Sequence, residues 1–139
     1  MLEISCGTVP YTVKDGSVLY LLIKTKHGIC GFPKGHMESG ETEKETALRE
    51  TLEETSVRAR IIGDFRHQIE YPLSNGNVKR VIYFLADYED QIPHHRDGFE
   101  HLDYLTLPYE EALTALTFKN TKNILTKADE YIRENIKIN

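Results

Sequence analysis

The stretch Gly35-His36-Met37-Glu38-Ser39-Gly40-Glu41, running on into Arg49-Glu50-Thr51-Leu52-Glu53-Glu54, decides how the chain is read. Between Gly35 and Thr55, seven glutamates stand against two cations, Lys44 and Arg49. Like charges at helical neighbour spacing repel, so this density of carboxylate is unfavourable at neutral pH unless a cation sits among them. A hard divalent cation with oxygen ligands meets that need, and such ions commonly accompany phosphate. On a helix Glu50, Glu53 and Glu54 stand at i, i+3 and i+4, within about 6 Å of one another. Such an array suits magnesium or manganese, which keep waters for exchange with phosphate oxygens. Arg49 lies four residues after Glu45 and four before Glu53, placed to orient either. Gly35 and Gly40 permit backbone conformations closed to other residues, as expected of a loop folded tightly over the helix. Taken alone, such a helix reads first as a solvated face.

Outward from this stretch the chain organises simply. Thr42 and Glu45 have capping-box spacing at the helix start. Steps of 100° place Ala47, Leu48, Thr51, Leu52 and Thr55 on one packing stripe and the three glutamates on an adjoining one. Upstream, Ser5–Val13 and Val18–Lys24 read as strands joined by the turn Lys14-Asp15-Gly16-Ser17. Lys26–Gly40, with four glycines and Pro33, reads as loop. Downstream, Val57–Tyr71 is expected to be extended, with Ser74-Asn75-Gly76-Asn77 turning it into a strand over Val78–Tyr88. A short strand around Leu102, Tyr104 and Leu105 precedes Pro108. Helices are expected over Glu110–Leu116 and Thr121–Ile136, the second with Ile124, Ala128, Tyr131 and Ile132 on one face. Hairpin strands with segregated helices point to an α+β sandwich rather than alternating βαβ units.

The chain has 139 residues and no repeat, linker or low-complexity tract, so one domain over residues 1–139 is expected. Forty per cent apolar and 28% charged is ordinary globular composition, and the longest apolar run, Val18–Ile23, is far too short for a bilayer. Without a secretory signal or a disulfide framework from Cys6 and Cys30, a cytoplasmic location is expected. A net charge of −5 argues against a broad nucleic-acid surface, so no DNA partner is expected; a nucleotide substrate remains compatible, since bound magnesium reverses the sign locally. His94 and His95 lack a third ligand for zinc.

Gly35, five residues, Glu41, seven residues, Arg49-Glu50, two residues and Glu53-Glu54 together resemble the Nudix box of the Nudix hydrolases, six identities at fixed spacing. Beyond the box, Phe32-Pro33-Lys34-Gly35-His36, Lys79 with Val81-Ile82-Tyr83, Glu100-His101 before Tyr104, and Leu116-Thr117-Phe118-Lys119 are similar to the diadenosine tetraphosphate hydrolases of that family. The resemblance implies an α/β/α sandwich with a mixed sheet between helices, and metal-dependent attack of water on a phosphorus, here cleaving diadenosine tetraphosphate to ATP and AMP. Nucleoside triphosphates, ADP-ribose or an RNA 5′ end are the alternative substrates, and a noncatalytic nucleotide sensor is the remote one. It implies Glu50, Glu53 and Glu54 as Mg2+ or Mn2+ ligands with the Gly35 carbonyl in addition, and Glu41 and Arg49 as scaffolding. Glu100 becomes a candidate metal ligand or water-activating base. Lys34, His36 and Lys79 become candidate polyphosphate contacts, Tyr71 and Phe118 a candidate adenine clamp, and Tyr83 a packing or phosphate contact. Three positions depart from the pattern. Thr51 replaces an aliphatic residue at some packing cost, Ser56 stands where glycine is usual and is strained if positive φ is needed, and Cys30 occupies the place of a common tryptophan.

Overall fold

A computed structural model describes residues 1–99 and 101–138. Its elements run β1 (Leu2–Lys14), β2 (Ser17–Lys24), β3 (Cys30–Gly31), β4 (Lys34–His36), α1 (Glu43–Thr55), β5 (Arg60–Pro72), β6 (Val78–Asp87), β7 (Asp103–Pro108), α2 (Tyr109–Ala115) and α3 (Lys119–Asn135). Asp15 and Gly16, both at positive φ, close β1 onto β2 in a two-residue turn with Lys14 opposite Ser17. Positive φ at both central positions matches the right-handed twist of the flanking strands, which is why Asp-Gly serves there.

Among the described residues the strands form one seven-stranded mixed sheet in the order β3-β2-β1-β6-β5, with β4 on β1 and β7 on β2. β1 and β6 run parallel from Leu2/Val78 to Tyr11/Asp87. Side-chain alternation along these two central strands sorts the core into two layers. Val81, Tyr83 and Leu85 face one way, with Val9 and Tyr11, and pack against Ala112, Leu116, Ile124, Leu125, Ala128 and Ile132 of the two C-terminal helices and their connection. Ile82, Phe84 and Cys6 face the other way and meet Ala47 of α1. Helices therefore cover both faces of the mixed sheet, as the resemblance implies. Among the described residues no helix is long and apolar enough to cross a membrane.

Two local readings are revised. Lys26–Gly40 contains the short strands β3 and β4, the second paired with β1 at Ser5↔His36, Cys6↔Gly35 and Gly7↔Lys34. On α1 the buried positions are Thr46, Ala47, Thr51 and Thr55, whereas Leu48 and Leu52 are only half-buried. Threonine serves in that contact because its hydroxyls are satisfied in place. Thr51 Oγ1 donates to the Ala47 carbonyl at 2.8 Å and meets Thr8 Oγ1 from β1 at 2.8 Å, and Thr55 Oγ1 donates to the Thr51 carbonyl at 2.6 Å. The packing cost expected at Thr51 is thus offset by hydrogen bonds across the helix–sheet contact.

Candidate active site

The acidic stretch assembles around Arg49. Its guanidinium grips Glu41 in a two-point ion pair, Nε to Oε2 at 2.6 Å and Nη2 to Oε1 at 2.9 Å. Nη1 donates to Glu50 Oε1 at 2.8 Å and Glu53 Oε1 at 3.2 Å, and Nη2 also reaches the His36 carbonyl at 2.9 Å. Only a planar, always-charged fork can tie loop, strand and helix together at one point. Glu41 further accepts from the Glu38 N–H and the Thr46 hydroxyl, both at 2.9 Å. The Arg49 hydrogen bond, supported by that backbone N–H, holds the Glu41 carboxyl down at about 2. Glu41 and Arg49 are thus committed to each other. At the start of the helix the capping box forms, Thr42 Oγ1 accepting from the Glu45 N–H at 3.1 Å and Glu45 Oε1 from the Thr42 N–H at 2.8 Å.

Gly35 has a different reason to be glycine from the one expected. Its φ is not positive, unlike that of Gly40 at 86°, but a Cβ built on it would lie 1.9 Å from Glu50 Oε2. The Glu50 carboxylate therefore rests directly on the Gly35 backbone. Burial pushes the Glu50 carboxyl up, and Glu54 more strongly, to about 7, although Glu54 Oε1 accepts the Lys34 N–H at 3.0 Å. An electronegative group forced out of water with only one hydrogen bond is poised to take up a cation or a proton. Among the described residues no three carboxylate, imidazole or thiol groups are gathered as a closed metal centre. Arg49 and the Lys34 N–H instead hold Glu50, Glu53 and Glu54. The donor set still fits a hard divalent cation: oxygen ligands alone, on one helical face, two of them raised by burial and against a strand backbone with its own carbonyl.

The far end of α1 is held by contacts that the sequence reading missed. The Tyr104 hydroxyl donates to the Glu54 carbonyl at 2.6 Å, the His94 N–H to the Thr55 carbonyl at 3.0 Å, and the Ser56 N–H to the Leu52 carbonyl at 2.8 Å. Ser56 adopts φ 63°, so the conformation that favours glycine is indeed required, and its buried Oγ has no partner among the described residues. His95 is engaged with the Leu102 carbonyl.

Beside the acidic site lies a cavity of about 520 Å³ lined by Lys34, Glu54, Tyr71, Tyr83 and Phe118, with Ile23, Phe32, Leu102, Asn120 and others. Register explains the convergence: Lys34 and Tyr83 both sit opposite Gly7, on its two sides, and Tyr71 sits opposite Lys79, all on the sheet face turned to α3. Phe118, at 52% exposure, is a cavity wall and not core, whereas Tyr83 is buried and edge-on to Phe32 with centroids 6.0 Å apart. Cys30 also lines the cavity, with its backbone tied to Thr117 by the Thr117 hydroxyl at 2.8 Å and the Thr117 N–H at 3.2 Å. His36 and Lys79 do not line it. They meet each other next to it, Lys79 Nζ on His36 Nε2, with Glu3 Oε1 3.7 Å from that nitrogen. Lys79 is only 7% exposed, and burial, with Lys34 nearby, lowers its pKa. Arg80 points to the other face and pairs with Glu70 at 2.6 Å. Glu100 lies outside the described residues.

Comparison with known proteins bears on this arrangement. A family model described as the NUDIX domain matches residues 3–128. The chain is similar to the asymmetrical bis(5'-nucleosyl)-tetraphosphatase of Mus musculus, at 37% identity over 92% of this chain and 94% of the mouse protein. It is similar to the Sus scrofa protein of the same name at 35% identity, again over 92% and 94%. Among solved structures, a binary complex of the C. elegans Ap4A hydrolase matches with a TM-score of 0.85 at 25% identity, over 95% of this chain and 98% of that one.

Proposed function

The chain belongs to the Nudix hydrolase family, and on that premise we propose that it is a cytoplasmic, single-domain diadenosine tetraphosphate hydrolase whose products are ATP and AMP. One observation carries the reading. Lys34 and Glu54, joined through backbone N–H and carboxylate, line the same cavity as Tyr71, Tyr83 and Phe118, so a polyphosphate site and an aromatic base site are continuous.

Glu50, Glu53, Glu54 and the Gly35 carbonyl would hold Mg2+ or Mn2+, with Glu100 as a further ligand or as the base. When bound, such an ion offsets phosphate charge and lowers the pKa of a water ligand. Arg49 and Glu41 fix the loop against the helix so that the carboxylates keep their relative positions. Lys34, with Lys79 and His36 beside it, neutralises non-bridging phosphate oxygens, and the charge it meets grows as the transition state forms. Tyr71 and Phe118 stack one adenine, which anchors the chain of phosphates in register. The oxygen of water forms a bond to phosphorus while a bridging P–O bond breaks. The departing polyphosphate oxygen takes the electron pair, and the proton of water passes to Glu54 or Glu100.

The test is magnesium-dependent turnover on diadenosine tetraphosphate, nucleoside triphosphates, ADP-ribose and triphosphorylated RNA. Highest kcat/KM on the dinucleotide is expected. A preference for ADP-ribose or RNA would overturn the substrate while sparing the class, and tight binding with no turnover on any of them would identify a sensor.

A further inference from the structure

Among the described residues, Asn120 is the one that lines the cavity with an uncommitted carboxamide. It lies in the first turn of α3, two residues after Phe118, half-buried, and it lines the cavity together with Tyr71, Tyr83 and Phe118. Its side chain makes no hydrogen bond to any described residue. The neighbouring polar groups are spoken for: Thr121 Oγ1 donates to the Phe118 carbonyl at 2.8 Å, and Thr25 Oγ1 accepts from the Ile29 N–H at 3.2 Å. Lys34 and Glu54 are joined to each other and serve the phosphate end. The phenols of Tyr71 and Tyr83 each offer a single hydroxyl, and the thiol of Cys30 is a poor hydrogen-bonding group. A carboxamide alone presents a donor and an acceptor side by side in one plane.

We infer that Asn120 reads the N7 edge of the nucleobase held in this cavity and thereby favours adenine over guanine. The inference rests on the dinucleotide reading above and names the residue that would set its base preference. Stacking by Tyr71 and Phe118 is indifferent to the base, because every base has a π-face. Discrimination therefore needs a hydrogen-bonding group at the ring edge. On its N7 edge adenine offers the N6 amino donor beside a ring-nitrogen acceptor, and the asparagine carbonyl and amide complement that pair. On the N7 side guanine offers two acceptors, O6 and N7, so the carboxamide oxygen faces another oxygen and its desolvation is not compensated.

The experiment measures kcat and KM with diadenosine and diguanosine tetraphosphate for the wild type, Asn120→Ala and Asn120→Asp. The wild type is expected to prefer the adenine substrate. Asn120→Ala should lower the adenine-to-guanine ratio of kcat/KM about tenfold, mostly through KM. Asn120→Asp should lower it less than Asn120→Ala does, since a carboxylate still accepts from the adenine amino group but meets two acceptors, O6 and N7, on guanine. An unchanged ratio in Asn120→Ala, or a wild type that prefers guanine, overturns the inference while the functional reading stands. Failure of the wild type to cleave either dinucleotide overturns the functional reading, and this inference with it. Both substitutions suit a half-buried position in the first turn of a helix, and a urea midpoint equal to that of the wild type reports an intact fold.

Discussion

Glu54→Gln separates the cost of the acidic site from its use. The substitution keeps the size of the side chain and keeps an oxygen to accept the Lys34 N–H, now at 3.0 Å from the carboxylate, but it removes the charge. Burial lifts the Glu54 carboxyl from 4.5 to about 7 in the folded, metal-free protein. At 1.36 kcal/mol per pKa unit, that shift corresponds to about 3 kcal/mol of folding free energy, as an order of magnitude. The sign follows from the direction. A raised carboxyl gives the folded state a proton that the unfolded state has already lost, so its contribution is fully present below 4.5 and is lost as pH rises through about 7. Metal-free wild type should therefore be less stable at pH 8 than Glu54→Gln by about 2–3 kcal/mol, and equal to it at pH 4. Urea midpoints with a chelator, at both pH values, measure this. Saturating magnesium should stabilise the wild type much more than the variant, because the ion replaces the missing proton. Turnover of the variant should fall by about 100-fold or more, the scale of losing one group in general acid–base catalysis. Equal urea midpoints for the two proteins at pH 8 would refute the claim that Glu54 is held in the fold at an energetic cost.

Three further substitutions test the frame that carries the glutamates. Ser56→Gly should raise stability by about 1 kcal/mol in thermal or urea unfolding, since it relieves a left-handed backbone and a buried unpartnered hydroxyl and gives back part through chain entropy. Tyr104→Phe leaves the Glu54 carbonyl without its donor, so stability should fall by about 1–2 kcal/mol. Its magnesium affinity, read by calorimetry, should weaken as well; an affinity equal to wild type would make Tyr104 merely structural. Thr51→Val strands the Thr8 hydroxyl in the helix–sheet contact and should cost about 1–3 kcal/mol, whereas adding Thr8→Val should recover part of that loss. A double mutant whose loss equals the sum of the single losses would mean that the two hydroxyls do not interact.

What could be read in the sequence and what could not divides along the range of the interactions. The Asp15-Gly16 turn, the Thr42/Glu45 capping box and the strand expected over Val78–Tyr88 depend on residues close in the chain, and each forms, the strand spanning Val78–Asp87. The strands β3 and β4 were missed because two or three residues carry no period; their pairing comes from β1 and β2, laid down earlier in the chain. Helical periodicity places Leu48 and Leu52 on one stripe with Ala47, Thr51 and Thr55, whereas the sheet selects the threonine side of it, whose hydroxyls find partners in Thr8 and the helix backbone. Within the site, the Glu41–Arg49 pair follows from the box, but the reason for Gly35 does not, since only the folded chain brings the Glu50 carboxylate onto it. Tyr104 and Asn120 carry no local signal at all. Tyr104 reaches Glu54 across 50 residues of chain and Asn120 comes to the cavity from farther still, and only the assembled sheet shows it.

The most direct measurement of the central claim is the identity of the products. Purified protein incubated with diadenosine tetraphosphate and magnesium should release ATP and AMP in equal amounts, and the reaction should stop when the ion is chelated. Two molecules of ADP as the product, or unabated cleavage in the presence of chelator, would contradict asymmetric, metal-dependent hydrolysis at Glu50, Glu53 and Glu54.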